Sequence, residues 1–423
     1  MRELYPREVR RGRPWIGSAA GGELHSARRG ELHPGRFAEM TKVVVVGAGI
    51  GGLATSIALR GAGVEHVVLE RAPELSKVEL GAGVTLWCNA MLILDRLGIG
   101  AEIRDRGAVL RCFEQRTARG RLLSRWPLEE MARRLGAPVC GINRPDLHAA
   151  LVAGASEQVV RTGCNVESFE DSDGGVSVAL AGGERETGDV LVGADGIDST
   201  IRRQLLGAQA PRHSGLTMWR ANLPYDEAIA PNVDFIAWWG AGTKFVVFRS
   251  GPERLSWEGI VTSAPGEQDA PGASKQAALE RFAGFTDPVL KVIDATSEQA
   301  IFRTDVFDRP PDERWGQGRV TLLGDAAHPM TFAVGQGAAQ ALEDAVAIGG
   351  VLGESEGADL DAALRSYERP RIARAAHFQT MAWRLARAGA LESRPAQVLR
   401  NTAFTASSPI GWRMQVKDMA LPA

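Results

Sequence analysis

A glycine-rich hexapeptide, Gly47–Gly52, has the spacing G-x-G-x-x-G, which can hold phosphate groups. In such a turn Gly47 permits the sharp bend, Gly49 lets backbone amides approach a pyrophosphate, and Gly52 allows a helix to pack closely on a strand. Glu70 follows at the end of the next predicted strand, where a carboxylate would accept hydrogen bonds from ribose hydroxyls. This spacing predicts a dinucleotide site, and a glycine-rich structural turn is the alternative.

The elements around this turn are those needed to position it. Val43–Val46 is a β-branched run typical of a strand buried on both faces, and His66–Glu70 is a second short apolar run. Between them, Leu53–Arg60 has small and apolar residues at helical spacing. Together they predict a β-turn-α-β unit whose helix N-terminus faces the phosphates. One such unit is compatible with either FAD or NAD.

Two later segments distinguish these cofactors. Gly193–Ser199 reads Gly-Ala-Asp-Gly-Ile-Asp-Ser and follows a predicted strand. Gly324–Pro329 reads Gly-Asp-Ala-Ala-His-Pro after a further predicted strand, and Gly335–Ala338 continues it at the start of a predicted helix. With these motifs in this order, residues 42–374 resemble the class A flavoprotein monooxygenases, the family of para-hydroxybenzoate and salicylate hydroxylases.

The resemblance implies FAD as cofactor, NADH or NADPH as a transient reductant, and O2 as the oxidant. It implies hydroxylation or epoxidation of a hydrophobic, aromatic or polycyclic small molecule through a flavin C4a-hydroperoxide. The chemistry then belongs to the flavin, so neither a catalytic triad nor a metal is expected. The predicted FAD-binding residues are Gly47, Gly49, Ile50, Gly51, Gly52, Glu70, Arg71, Val84, Arg144, Val166, Asp195, Gly324, Asp325, Pro329, Gly335, Gln336, Gly337 and Ala338.

Individual residues in these motifs have different expected roles. In the family the acid of the third motif, here Asp325, binds a ribose or ribityl hydroxyl, and Arg144 matches an arginine that reaches the flavin chain. Backbone amides of Gly335–Ala338 can face the pyrimidine edge of the flavin, where negative charge grows on reduction. Asp195 matches an acid near FAD, with a helix cap as the structural alternative. His328 is expected to be a structural, hydrogen-bonded residue.

Two positions depart from the family pattern. Phe332 stands where a proline is common, shortly before the Gly-Gln-Gly sequence, and it predicts an unusual pocket over the reactive face of the flavin. Residues 87–89 read Trp-Cys-Asn in place of a frequent Trp-Pro-Asn sequence. Neither departure changes the cofactor prediction.

The aromatic-rich segment Leu216–Ile301 has short strand-like runs and is expected to form an antiparallel sheet. Its candidates for a pocket wall are Trp219, Arg220, Trp238, Trp239, Phe245, Phe248 and Trp257. Alternation along a strand allows only some of them to face inward. We predict Arg220 as a catalytic charge stabiliser or polar anchor. The predicted substrate contacts are Trp219, Trp238, Phe245 and Phe332.

These segments predict an α/β fold with a Rossmann-like FAD-binding domain built on a parallel sheet, an inserted antiparallel-sheet substrate domain, and C-terminal helices. The expected boundaries are 41–210 and 305–394 for the FAD-binding domain, 211–304 for the substrate domain, and 395–423 for a weakly patterned tail. Residues 1–40 are rich in Arg, Gly and Glu and predict a disordered extension or an over-long start.

The overall composition argues against several other classes of protein. Its 49 basic and 51 acidic residues give a formal charge of −2, without the basic excess typical of nucleic-acid-binding proteins. The four cysteines include no C-x-x-C pair, which predicts reduced thiols in a cytoplasmic protein. No apolar run is long enough to cross a bilayer. We expect a monomer or homodimer that binds a small hydrophobic molecule and O2, with no nucleic acid and no metal.

Other flavoprotein functions stay open on the sequence alone. An oxidase or dehydrogenase on the same fold would release peroxide without an oxygenated product, and a non-catalytic FAD redox sensor would need only the cofactor motifs. A flavin-dependent halogenase is disfavoured because its W-x-W-x-I-P element is absent. A plain NAD-dependent dehydrogenase leaves the Gly324–Pro329 motif unexplained.

Overall fold

The structure is a computed structural model that describes residues 41–77, 81–355 and 359–421, so the prediction for residues 1–40 lies outside the described residues. In the described part of the chain the strands are β1 (Lys42–Val46), β2 (Glu65–Leu69), β3 (Gly83–Leu86), β4 (Ala108–Leu110), β5 (Cys112–Thr117), β6 (Leu122–Pro127), β7 (Val139–Asn143), β8 (Val160–Arg161), β9 (Val166–Ser172), β10 (Gly175–Leu180), β11 (Arg185–Gly188), β12 (Val190–Gly193), β13 (Arg212–Pro224), β14 (Phe235–Trp239), β15 (Thr243–Gly251), β16 (Arg254–Thr262), β17 (Phe302–Asp308), β18 (Gly316–Gln317) and β19 (Val320–Leu322). The α-helices are α1 (Ile50–Gly61), α2 (Cys88–Arg96), α3 (Gly100–Arg106), α4 (Leu128–Leu135), α5 (Arg144–Ala155), α6 (Thr200–Leu206), α7 (Ser274–Arg281), α8 (Asp287–Ala295), α9 (Gly337–Gly353), α10 (Leu360–Gly389) and α11 (Arg394–Asp418).

A six-stranded sheet in the order β18-β19-β12-β1-β2-β8 carries the glycine-rich motifs. Strand β1 lies between β2 and β12 and is parallel to both, which confirms the predicted β-turn-α-β unit. Val43, Val44 and Val45 have no accessible surface, as expected for a strand covered on both faces. Strands β1, β12 and β19 are parallel neighbours, and each leads directly into one of the three motifs. The sheet therefore brings all three motifs to one edge.

A seven-stranded sheet in the order β17-β13-β16-β15-β14-β5-β6 forms the second large sheet. Strands β13 to β16 pair in antiparallel fashion, as predicted. However, β5 and β6 come from residues long before the predicted substrate domain, and β5 pairs in parallel with β14. The predicted boundaries 211–304 therefore do not delimit this sheet. Strand β14 would otherwise be an open edge, and β5 satisfies its backbone groups through a pairing that no local pattern reveals.

The C-terminal region is helical throughout most of its length. Helices α10 and α11 agree with the expected C-terminal helices, and α11 includes residues that were predicted only as a weakly patterned tail. The weak pattern of this segment did not indicate a helix because α11 contains residues that disfavour helices, including Pro409, and it depends on tertiary contacts. One such contact is the buried Arg400, whose Nη1 donates to the carbonyl oxygen of Gly240 at 3.1 Å. Among the described helices, none has the length and apolar character needed to cross a membrane.

The four cysteines are free thiols, as predicted. Burial raises the pKa of the Cys88 thiol and of the Cys140 thiol to about 12. Because the thiolate is the reactive form, these two side chains behave as small core residues.

Candidate active site

A cavity of about 700 Å³ lies where the motif edge of the six-stranded sheet meets the seven-stranded sheet. Its lining comes from the start of α1, from the segment between β19 and α9, from one face of the seven-stranded sheet, and from α10 and α11. Predicted site residues that line it are Gly49, Ile50, Gly51, Val84, Arg144, Arg220, Gly324, Asp325, Phe332, Gly335, Gly337 and Ala338. The cavity thus joins two sets of residues that are far apart in sequence.

The first motif forms the tight turn expected between β1 and α1. Gly47 has φ of +105°, and a Cβ on Gly52 would lie only 1.9 Å from the Gly47 carbonyl oxygen. The first helical hydrogen bond is donated by the Leu53 amide to Gly49. The amides that precede Leu53 are therefore available to a ligand at the helix N-terminus, next to the cavity-lining residues 49–51.

Glu70 organises this turn from the adjacent strand end. It is buried, and its two carboxylate oxygens accept hydrogen bonds from the backbone amides of Ala48 and Ala72, each at 2.8 Å. Glu70 lies outside the cavity lining, as do the exposed Arg71 and the core residue Val166. Their contact with the cofactor stays a prediction.

Asp195 has the alternative role that its motif allowed, that of a helix cap. Its carboxylate accepts hydrogen bonds from the Thr200 amide at 2.7 Å, the Ile201 amide at 3.2 Å and the Ser199 hydroxyl. Burial raises the pKa of this carboxyl, although these hydrogen bonds act in the opposite direction. The side chain is committed to α6, and the motif instead presents Ala194 and Gly196 to the cavity.

The third motif places a carboxylate and a helix N-terminus on the cavity. Asp325 lines the cavity directly after Gly324, which has φ of +57°. Gly335 has φ of +63°, and α9 begins at Gly337, where a Cβ would meet open space. The open space at Gly337 leaves room for a flat group against the backbone, whereas a Cβ on Gly335 would meet Trp87 and Thr85. Pro329, in contrast, is buried outside the lining.

A buried polar cluster, here called the α9 network, anchors the segment between β19 and α9. Its members are Asn89, His328, Gln336, Gln340, Glu343, Asp344, Arg371 and Arg374. Asn89 donates to the side-chain oxygen of Gln336 at 2.9 Å and to Glu343 at 2.8 Å. The Gln336 side chain thus points into the protein, and its contribution to the cavity is limited to the backbone turn that it fixes.

Asp344 lies at the centre of the α9 network. It is within 2.6 Å of the fully buried His328 and accepts a hydrogen bond from Arg371 at 2.7 Å. Burial alone would raise the pKa of its carboxyl, but His328 and Arg371 outweigh burial and lower it to about 2. His328 therefore has the structural role expected from the sequence.

Strand alternation decides which aromatic residues reach the cavity. Trp219, Trp238 and Phe245 were predicted as substrate contacts, but they lie on the opposite face of the sheet and pack against α7 and α8. The prediction was wrong because each of them is one residue out of phase with the cavity-facing set. The aromatic residues that line the cavity are Trp87, Phe113, Trp126, Phe235, Trp239, Phe248, Phe332 and Phe404.

A row of three charged residues, here called the cavity stripe, crosses this aromatic face. It consists of Arg220 on β13, Glu258 on β16 and Lys244 on β15, all of which line the cavity. Arg220 was predicted, whereas Glu258 and Lys244 were missed. The signal that could have found Lys244 is its even spacing from Phe248, which places both on the same face of β15.

Comparisons with known proteins agree with this arrangement. The chain matches the FAD binding domain family over residues 40–382. It is 38% identical over 351 residues to the aurachin C monooxygenase/isomerase of Stigmatella aurantiaca, which covers 83% of this chain and 90% of that protein. The chain belongs to the class A FAD-dependent monooxygenases.

Two further relatives support the same assignment. The FAD-dependent urate hydroxylase of Klebsiella pneumoniae is 32% identical over 335 residues, which cover 79% of this chain and 86% of that protein. The crystal structure of Klebsiella pneumoniae HpxO complexed with FAD and uric acid has a TM-score of 0.84 at 28% identity, with 90% of this chain and 98% of that chain covered. The predicted fold class and family are confirmed.

FAD is the cofactor of this monooxygenase, and NAD(P)H and O2 are its co-substrates. The residues at the cavity suit such a molecule in shape and charge. The N-terminus of α1 and Arg144 offer positive charge to a pyrophosphate, and Asp325 offers an acceptor to a hydroxyl group. The open space beside Gly337 accepts a flat ring at the N-terminus of α9.

Proposed function

We propose that this monooxygenase hydroxylates or epoxidises a flat, largely apolar aromatic or polycyclic molecule. The observation that carries the proposal is the continuity of the cavity, which runs from the FAD-type motifs to the aromatic face of the seven-stranded sheet. FAD, when bound, supplies the oxygen-transfer chemistry after its reduction by NAD(P)H. The protein has to bind and orient the two partners and keep water away from them.

The motif residues would hold the cofactor. Backbone amides at residues 49–51 and the Arg144 guanidinium would bind the pyrophosphate, and Asp325 would accept a hydrogen bond from a hydroxyl of the cofactor. The N-terminus of α9, with its glycine turn at Gly335, would stabilise negative charge on the edge of the flavin ring.

The aromatic residues would hold the substrate. Phe113 and Phe235 have ring centroids 4.2 Å apart, and Trp87 lies against both, at 6.5 Å and 6.2 Å. Such a wall binds a flat ring through its faces and edges and leaves little room for water. A relative named 3-amino-4-hydroxybenzoate 2-monooxygenase, 34% identical over 351 residues, supports an aromatic substrate.

Phe332 stands between the cofactor segment and this wall. It lines the cavity and packs in the same hydrophobic cluster as Trp87 and Phe235. We propose that it covers the substrate ring at the place where relatives commonly have a proline. Arg220, whose Nη2 donates to the Thr304 hydroxyl at 3.2 Å, would act as the polar anchor predicted from the sequence.

The test is a turnover screen with the purified, FAD-loaded protein. Bicyclic and tricyclic aromatic compounds are added with NADH or NADPH and isotopically labelled O2, and the products are identified by mass. The expected result is substrate-stimulated NAD(P)H oxidation with one labelled oxygen atom in the product. Stoichiometric peroxide with an unlabelled product would instead establish an oxidase or dehydrogenase. Reduction of the flavin with no turnover of any compound would favour a redox sensor.

The cytoplasmic location and the monomeric or homodimeric state predicted from the sequence belong to this proposal. The expected result of light scattering after size-exclusion chromatography is one or two copies of the 45.3 kDa chain.

A further inference from the structure

The cavity stripe interrupts an otherwise apolar surface of the cavity wall. Arg220 and Glu258 are directly paired across β13 and β16. On β15 the residue opposite Glu258 is Val246, and Lys244 lies two positions before it, diagonal to Glu258. Their neighbours on the cavity face of the sheet are apolar: Met218, Phe235, Ala237, Val246 and Phe248. Charged side chains at such positions oppose the hydrophobic packing of the sheet, so they require another explanation.

Two members of the cavity stripe, Lys244 and Glu258, have little direct compensation from the protein. Lys244 Nζ lies 4.6 Å from the centroid of the Trp239 ring. Among the residues that the structure describes, neither the Lys244 ammonium nor the Glu258 carboxylate has a hydrogen-bond or ion-pair partner, and the two groups do not pair with each other. The field at Glu258 comes from Arg220, Lys244 and Arg144, which face it from β13, β15 and α5.

The pKa values of Lys244 and Glu258 both show that these groups are poorly solvated in their charged forms. Burial lowers the pKa of Lys244 to about 8, although Glu258 acts in the opposite direction. Burial raises the pKa of Glu258, although Arg220, Lys244 and Arg144 act to lower it. Each charge is therefore incompletely solvated, and a ligand that hydrogen-bonds to both groups would recover part of this cost.

We propose that Lys244 and Glu258 are the specificity-determining pair of this enzyme, and that they recognise a ring edge with a hydrogen-bond acceptor next to a donor. The substrate class is a planar ring lactam, or a ring carbonyl beside a hydroxyl group. The Lys244 ammonium donates to the carbonyl oxygen, and the Glu258 carboxylate accepts from the adjacent N–H or O–H. This inference rests on the proposed function, because it specifies the substrate of the same cavity.

The geometry of the sheet suits such an edge. Diagonal neighbours on adjacent antiparallel strands have Cα atoms roughly 7–8 Å apart, and long side chains from them can converge. Because the two groups do not contact each other, a ring edge with adjacent polar atoms can lie between them. The apolar side chains around the cavity stripe would then cover the two faces of the ring.

The experiment is a binding titration of the FAD-loaded enzyme, followed through the absorption spectrum of the flavin. The probes are quinolin-2(1H)-one, which has a carbonyl beside an N–H, and 1-methylquinolin-2-one, which lacks the donor. The wild-type enzyme is expected to bind the first about tenfold more tightly, as one hydrogen bond to a charged group implies. Equal affinity for the two probes would overturn the inference, and this comparison needs no variant.

Substitutions of Lys244 and Glu258 test whether these two residues cause the preference for the N–H lactam over its N-methyl form. Glu258→Leu is expected to reduce the preference to near unity, and Lys244→Met to weaken both lactams by about tenfold. The control is Gln115→Met, because Gln115 lines the same cavity but donates to Ser124 at 2.9 Å. It is expected to keep the wild-type preference. A preference that survives in Glu258→Leu would also overturn the inference, and FAD content verifies the fold of each variant.

This binding test can fail independently of the proposed function. If the enzyme oxygenates aromatic compounds but does not prefer the lactam probe, the specificity assignment is wrong and the monooxygenase function stands. If the preference is present but no compound is oxygenated, the proposed substrate reaction is wrong and the recognition pair stands.

Discussion

Two groups of charged side chains in this molecule, one buried in the core and one on the cavity wall, differ in how the protein compensates them. In the α9 network, Asp344 is bound by His328 at 2.6 Å and by Arg371 at 2.7 Å. In the cavity stripe, Lys244 and Glu258 are partly exposed on the cavity wall, and no ion pair joins them. A buried charge with ionic partners supports the fold, whereas a charge that faces a cavity without such a partner marks a place for a ligand.

The pKa values of Asp344 and Lys244 differ in the same way as their contacts do. The pKa of Asp344 is lowered to about 2 because its cationic neighbours outweigh burial, so the ion pairs in the α9 network hold their charges. The pKa of Lys244 is lowered to about 8 because burial outweighs Glu258. Removal of a charge should therefore have opposite effects on stability in the two regions, which makes the comparison open to experiment.

The largest expected effect comes from Arg371→Met in the α9 network. This change leaves Asp344 with His328 and Glu343 with Arg374 as the remaining cationic partners, and the loss of one cation from this buried network is expected to cost about 3–5 kcal/mol of unfolding free energy. Urea denaturation of the wild type and the variant measures the difference. Because the network fixes the Gly335 turn, loss of FAD on gel filtration is expected as well. The control Lys77→Met removes a surface ion pair with Glu74 and should change stability little.

A smaller effect is expected from the aromatic residue beside the cavity stripe. Trp239→Leu removes the ring that lies against Lys244 and lines the cavity, and KM should rise about tenfold. Its matched control is Trp238→Leu on the same strand, where the side chain faces the opposite core. This control should lower the thermal stability and leave KM unchanged. Equal changes in KM for both variants would contradict the strand alternation on which the site depends.

The glycine motifs could be predicted from the sequence because local sterics determine them. Gly47 has φ of +105°, and Gly52 has no space for a Cβ, so the turn and its close packing are encoded within a few residues. The order of strand, turn and helix around each motif then indicates that the cofactor binds at the edge of the sheet where β1, β12 and β19 end. The same is true of His328, whose position in a tight turn indicated a structural role.

The substrate side of the cavity depended on long-range pairings that the sequence does not display. Trp219 and Trp238 were predicted as contacts because they lie on strands of the aromatic-rich segment, but the face that each presents is set by the register of β13 and β14. Glu258 joins Lys244 only through the pairing of β15 with β16. Asp195 has the residue type of a ligand and of a helix cap, and only the structure separates the two roles.

The smallest expected effect, and the one that tests the comparison most directly, is on the stability of Lys244→Met. The ordinary pKa of a lysine is 10.5, and burial lowers that of Lys244 to about 8. Below pH 8 the lysine is charged in both the folded and the unfolded chain, so the full cost of burying the charge is present. Between pH 8 and pH 10.5 the folded protein loses this proton first, which relieves the cost and makes the wild type more stable.

Replacement of Lys244 by methionine should therefore raise Tm by a few degrees below pH 8, and the gain should shrink as the pH approaches 10.5. Thermal unfolding of both proteins across this range measures the gain. Lys42→Met is the matched control, because Lys42 is paired with Glu186 at 2.7 Å and its removal should not raise Tm. A lower Tm for Lys244→Met below pH 8 would mean that the protein compensates this ammonium as fully as the α9 network compensates Asp344. In that case Lys244 would belong to the fold, and the distinction between the two regions would disappear.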